Sequence, residues 1–300
     1  MIRTWLLPVV AAITVTTALV GLRVTPSLAA GDLALAALSR QTHFHGIAVD
    51  ISDTSRIYLA THHGLYVVDQ DGKVTPLSQP RDDFMGFTAH SSDPLVLYAS
   101  GHPATGGNLG FIVSRDGGRT WTKLASGVGG PVDFHQMDVS KTDPKVIYGV
   151  YGGVQRSADG GKTWSKIGPA PEGMIDLAAS SKDSNTLFAA TQRGLFKSTD
   201  AGKSWQIAHI VARPATMVHA TRTGDVYAYM VGSGLLRAKN ESPNWEVVSP
   251  GLGVDVFLHF AADPKNGKRF YAVAYNPQTR AQSVVTSGDA GVSWAELGAR

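Results

Sequence analysis

The chain has 300 residues, 43% hydrophobic and 17% charged, with 33 glycines and 15 prolines; it can bury a large core and must turn often, as one all-β barrel, sandwich or propeller does. The net charge is +3 and falls to +1 without Arg3 and Arg23, because no acid precedes Asp32; that is too little to argue for nucleic acid. The absence of cysteine excludes disulfides, thiolate metal ligands and cysteine nucleophiles.

At the N-terminus Arg3 precedes an apolar, uncharged run from Trp5 to Val20, the pattern of a signal peptide. Small residues place cleavage after Ala29 or Ala30. Residues 1–30 are thus expected to be a leader, and residues 31–300 an exported domain, periplasmic or extracellular. The alternative is an uncleaved anchor that keeps the domain on the outer side of the membrane, although the run is short of the ~20 apolar residues that span a bilayer.

Next come short β-rich runs broken by turns. His43-Phe44-His45-Gly46 opens the first, and Thr61-His62-His63-Gly64 ends the second. Further on, an octad recurs: SRDGGRTW to Trp121, SADGGKTW to Trp164, STDAGKSW to Trp205 and SGDAGVSW to Trp294, with a weaker AKNESPNW to Trp245. The interval of 40–49 residues is the length of a four-stranded blade. Around each octad stand an apolar stretch, a turn such as Thr142-Asp143-Pro144, and runs such as Val146–Val150 and Gly194–Ser198, which read as four strands per unit. Six units begin near His43, Phe84, Asp133, Ile175, Thr216 and Asp255. The expected fold is therefore an all-β, six-bladed β-propeller of four-stranded antiparallel blades. Residues 31–42 are too few for a seventh.

The octads resemble the Asp-box, or bacterial neuraminidase repeat, of sialidases, sortilin, photosystem II assembly factors and exported bacterial propellers. The resemblance implies a hairpin between strands three and four, with the Asp accepting turn N–H bonds and the Trp packing between blades. Elementary chemistry agrees: Asp bonds its local backbone, Gly supplies positive φ, and a large aromatic fills an apolar seam.

Histidine is unevenly spread, seven of ten lying between His43 and His135. In a blade the start of strand one and the end of strand two share a rim, opposite the strand three–four loop. His43 and His45, His62 and His63, His102 and His135 all fall on that rim, beside Asp83, Met85 and Asp133. These are the expected ligands. His90 belongs to the opposite face, His209 to the periphery, and His219 and His259 lie deeper. Imidazole with carboxylate suits zinc, nickel, iron or copper, and Met85 or Met137 would favour copper in its softer state. No His-Glu-x-x-His pattern or Cys pair is present.

The same motifs resemble a group of exported six-bladed bacterial proteins classed as glycosyl hydrolases or exo-sialidase-like. A sialidase mechanism implies an arginine trio, a tyrosine nucleophile backed by Glu, and an Asp acid/base. The Arg-Ile-Pro signature is absent, the nearest string being Arg56-Ile57-Tyr58, and Arg81 and Arg193 do not complete a trio. Only Glu172, Glu241, Glu246 and Glu296 are available, near octads or turns, whereas Asp83, Asp133, Asp176 and Asp255 open first strands. Three expectations follow: a binder of a metal ion or metal-dependent ligand, a sialidase-like glycoside hydrolase, or a scaffold for another exported protein. Partners are then a metal, small ligand or glycan at the rim, or that protein, with the membrane reached only through the N-terminal segment.

Overall fold

Every octad turns the chain between two antiparallel strands, and the computed structural model, which describes residues 33–79 and 81–299, repeats that hairpin around a ring. The expected leader, residues 1–30, lies outside the described residues. Six antiparallel sheets form the blades of a β-propeller. Their innermost strands are Phe44–Val49, Asp83–Ala89, Met137–Val139, Met174–Ala179, Ala215–Ala220 and Val256–Ala262. Blade 3 begins later than its sequence unit, because residues 133–136 form an irregular segment before Met137.

Blade 1 carries a fifth strand. Leu33–Ala34 pairs with the outer strand Lys73–Pro76, and the helical turn Leu35–Leu38 buries Leu35 and Leu38 against Tyr66, Val74, Tyr271 and Leu297 at the seam with blade 6. The residues too few for a blade thus strap the ring shut. Side chains complete that closure: the Phe44 N–H donates to Gln282 Oε1 at 2.8 Å, and Gln70 Nε2 to the Tyr271 hydroxyl.

The octads fold alike. Asp159 Oδ1 accepts the N–H groups of Lys162 and Thr163 and the Ser157 hydroxyl, while Oδ2 accepts the Thr163 hydroxyl. Asp116, Asp200 and Asp289 repeat the scheme. These bonds hold the carboxyls of Asp159, Asp200 and Asp289 down to about 2, so the four aspartates cap turns. The second glycine of the box is required by packing as well as by its φ of 89°: a Cβ on Gly161 would stand 2.0 Å from Phe111 of the neighbouring blade.

Between blades 2 and 3, Tyr98, Phe111, Val113, Phe134, Met137 and Ile147 are buried together. Trp164 covers this seam half-buried, its ring 5.1 Å from Phe111 and 4.9 Å from Phe134. Met137 therefore belongs to the core and is withdrawn as a soft ligand. Trp164→Ala should lower unfolding stability by ~3 kcal/mol through lost packing, and Asp159→Ala by less, because only turn bonds at the surface are lost; calorimetric unfolding of both variants checks the order.

Candidate functional site at the channel mouth

Two sets of imidazole and carboxylate groups form on the rim opposite the Asp boxes, where one cluster was expected. The first comprises His45, His62 and Asp83. Phe44 pairs with Thr61 and Gly46 with Ala60, which leaves His45 as the extra residue of a β-bulge; bulges re-aim side chains in this way. His62 follows the second strand, its N–H bonded to the His43 carbonyl. Its Nδ1 lies 2.6 Å from Asp83 Oδ2, and His45 Nε2 lies 3.7 Å from Asp83 Oδ1.

The second set comprises His102, Asp133 and His135. Asp133 Oδ2 receives His102 Nε2 at 2.9 Å and His135 Nε2 at 2.7 Å. The irregular segment is pinned there by Ser100, wholly buried, whose hydroxyl accepts the Phe134 N–H and approaches the Gly110 and Val132 carbonyls. Gly86 makes room for it: a Cβ there would fall 2.1 Å from the Phe134 carbonyl oxygen. Ser100 and Gly86 are positioning residues that sequence reasoning missed; the glycine beside Met85 was their one legible trace.

Three polar atoms at this mouth, His45 Nε2, Asp83 Oδ1 and Asp133 Oδ1, are buried and without a hydrogen-bond partner among the described residues. Burial, then the neighbouring His62, His259, His43 and His135, push the His45 imidazole down to about 3. His135 moves up, through its hydrogen bond to Asp133. Burial opposes charge on Asp133, but its bonds to His135 and His102 outweigh it and keep the carboxyl below its ordinary value.

Not every expected ligand joins a set. His43 is exposed, its ring 5.6 Å from that of His62. His63 is exposed too, with Nδ1 3.0 Å from the Thr42 hydroxyl, so consecutive imidazoles point apart. Met85 is half-buried two residues beyond Asp83. Asp176 is not at the rim: its carboxylate accepts the N–H groups of Leu177 and of Val218 in the next blade, inside the channel. Asp255 accepts from the Asn276 amide. Arg81 bonds the Tyr66 hydroxyl and Arg193 pairs with Glu172, so neither contributes to a trio. His90 caps its own turn, accepting from Ser92 and Asp93.

Deeper in the channel a cavity of about 390 Å³ is lined by the first strands, with Asp138, Lys141, Asp176, His219 and His259 among its walls and none of the six rim histidines. Asp138 is ion-paired with Lys141 and accepts the Ala179 N–H across the blade boundary. Burial, opposed by its two backbone bonds, pushes Asp176 up to about 7. The carboxylates here tie blades together, and the free ligand atoms are at the mouth.

Fold and repeat together define a six-bladed Asp-box β-propeller. A BNR/Asp-box repeat model matches residues 112–123 and 155–166, and no curated protein matches the chain. Among solved structures it is similar to a GH74 enzyme from Niastella koreensis (16% identity, TM-score 0.61) and to the GH74 xyloglucanase from Xanthomonas campestris (19%, 0.55), in each case over 85% of this chain and 45% of the other. It thus spans less than half the length of those enzymes. It is also similar to YCF48 bound to D1 peptide, with 15% identity and a TM-score of 0.54 over 86% of this chain and 83% of that one. At such identities the likeness is one of fold.

Burial holds His219 and His259 down to about 4, as it holds His45 to about 3, against an ordinary value of 6.5. At these three imidazoles the unfolded chain therefore binds protons that the folded chain refuses, so the stability they contribute is full above about pH 6.5 and is lost as pH falls toward 4; the raised Asp176 works the other way, one group against three. The urea midpoint of chelator-treated protein should be lower at pH 5 than at pH 7.5, and His219→Leu should narrow that difference; an unchanged difference would show that His219 titrates normally.

Proposed function

We propose that this propeller is a metal-binding protein that holds transition-metal ions at its channel mouth. One observation carries the reading. His102 Nδ1 lies 2.9 Å from the Gly107 carbonyl, which can only accept, so Nδ1 carries the proton. The Nε2 lone pair of neutral His102 then points at Asp133 Oδ2, which His135 Nε2 also approaches. Lone pairs facing a carboxylate repel, and either an extra proton or a cation must lie between them. Donating the second ring N–H to a carbonyl is how metal-bound histidines are oriented.

The ligand atoms of each set lie within 4.8 Å of one another. Tetrahedral ligands about 2.0–2.1 Å from zinc stand roughly 3.3 Å apart, so the imidazole–carboxylate pairs now at 2.6–2.9 Å open by about half an ångström to admit an ion. Two imidazoles and a carboxylate suit zinc, nickel, iron or oxidised copper. The orphaned His45 Nε2 and Asp83 Oδ1 gain a partner on the same reading. A glycoside hydrolase acting through Asp133 would need that carboxyl protonated, and its bonds to His135 and His102 hold it below its ordinary value. The N-terminal pattern read as a leader supports action outside the cytoplasm.

The purified domain, dialysed against zinc and then against buffer, should retain metal by elemental analysis. His45→Ala and His102→Ala should each lower the content by at least half an ion per chain. Retention no higher than in a histidine-poor control protein would end the metal reading.

A further inference from the structure

The two sets are neighbours by strand pairing. Asp83 and His102 stand opposite each other in register in blade 2, so one ligand of each set rises from the same rung, on the same side of the sheet. Directly opposed residues have Cα atoms about 4.5–5.5 Å apart. Asp133 is 92% buried at its side chain, with one oxygen unpartnered.

The following inference rests on the metal reading. Three protein ligands leave at least one position open on each ion. Each divalent ion is offset by a single carboxylate, the imidazoles being neutral when they ligate, so each set keeps one excess positive charge. Two such charges side by side in a half-buried mouth repel. An anion of charge two with oxygens for both ions would complete both coordination shells and cancel the excess. A phosphate monoester has that charge and shape near neutral pH, its second ionisation lying near 6; a carboxylate carries half the charge.

We propose that Asp83 and His102, paired on one rung, join the two triads into a dinuclear site that binds the phosphoryl group of a phosphorylated ligand as a bridge between two metal ions.

Wild-type protein loaded with zinc and freed of excess should hold two ions per chain. It should bind inorganic phosphate by calorimetry at least tenfold more tightly than the metal-free form, than acetate binds, and than the single-set variants His62→Asn and His135→Asn bind phosphate. The copper(II)-loaded wild type should give a half-field signal of two coupled ions in electron paramagnetic resonance, a readout that needs no variant to fold. No retained metal overturns this proposal together with the metal reading. One ion per chain, two uncoupled ions, or phosphate binding unchanged in the single-set variants overturns the bridge and leaves the metal reading standing. Acetate bound as tightly as phosphate overturns the phosphoryl assignment.

Discussion

Burial of a phenylalanine at the opening of the blade is the constraint on which both ring and rim depend. Phe44, Phe84, Phe134 and Phe257 are all at most 1% exposed, each contributing roughly 1.5–3 kcal/mol by leaving water. Four seams are filled by such rings, the seam between blades 3 and 4 by Leu177 and that between blades 4 and 5 by Ala215 and Val218. Anchoring that ring places the residues on either side of it at the rim. In blades 1 to 3 the flanks are His43 and His45, Asp83 and Met85, Asp133 and His135. Seam packing therefore places the ligands, the bulge at His45 and the irregular segment at 133–136 aim them, and Phe134, which touches Trp164, links an Asp-box turn on one face to a carboxylate on the other. In blade 6 the same ring is flanked by Val256 and Leu258, which keeps the imidazole chemistry to one arc of the mouth.

Much of this was legible in sequence because it is periodic. The octads gave the blade boundaries, since a hairpin capped by Asp and closed by Trp has one place in a four-stranded blade. The rim followed from the up-and-down course of the chain. Illegible features came from single-residue geometry. The bulge at His45 changes which neighbour its ring meets, and alternation along a strand cannot foresee a bulge. Adjacent His62 and His63 form the two-residue turn between Thr61 and Gly64 and diverge, one to Asp83 and the other to Thr42, so only one joins the set. Asp176 was drawn into the channel by the Val218 N–H of the next blade, a partner 42 residues away. The strap of residues 33–38 lacks any repeat signature, being held by two residues of strand pairing and by Leu35 and Leu38.

The two ends of the channel differ in kind. One bears unsatisfied imidazole and carboxylate atoms. Toward the other, Asp138 with the Ala179 N–H, and Asp176 with the Val218 N–H, spend their polar atoms on joining blades, and Arg222 of blade 5 reaches the Ser91 carbonyl of blade 2 across the ring. Turn capping by the Asp boxes and the carboxylate bonds between blades are thus concentrated away from the mouth. That division leaves mouth residues free to vary with little cost to the fold, and explains how a shared architecture serves proteins with different sites.

The manner of ring closure has a kinetic consequence. Five of the six seams join blades adjacent in sequence and can form as each blade follows the last. The sixth joins Phe44 to Gln282 across 238 residues, and the N-terminal strap lies over the same seam. Closing so long a loop is entropically the most expensive contact in the chain, and folding slows as such distant contacts dominate. Until the sixth blade docks, the Leu35 and Leu38 side chains and the facing apolar wall of blade 1 stay open to water, and the ring is a crescent with two sticky ends. The last seam to form is thus also the point at which an incomplete chain is most exposed to self-association.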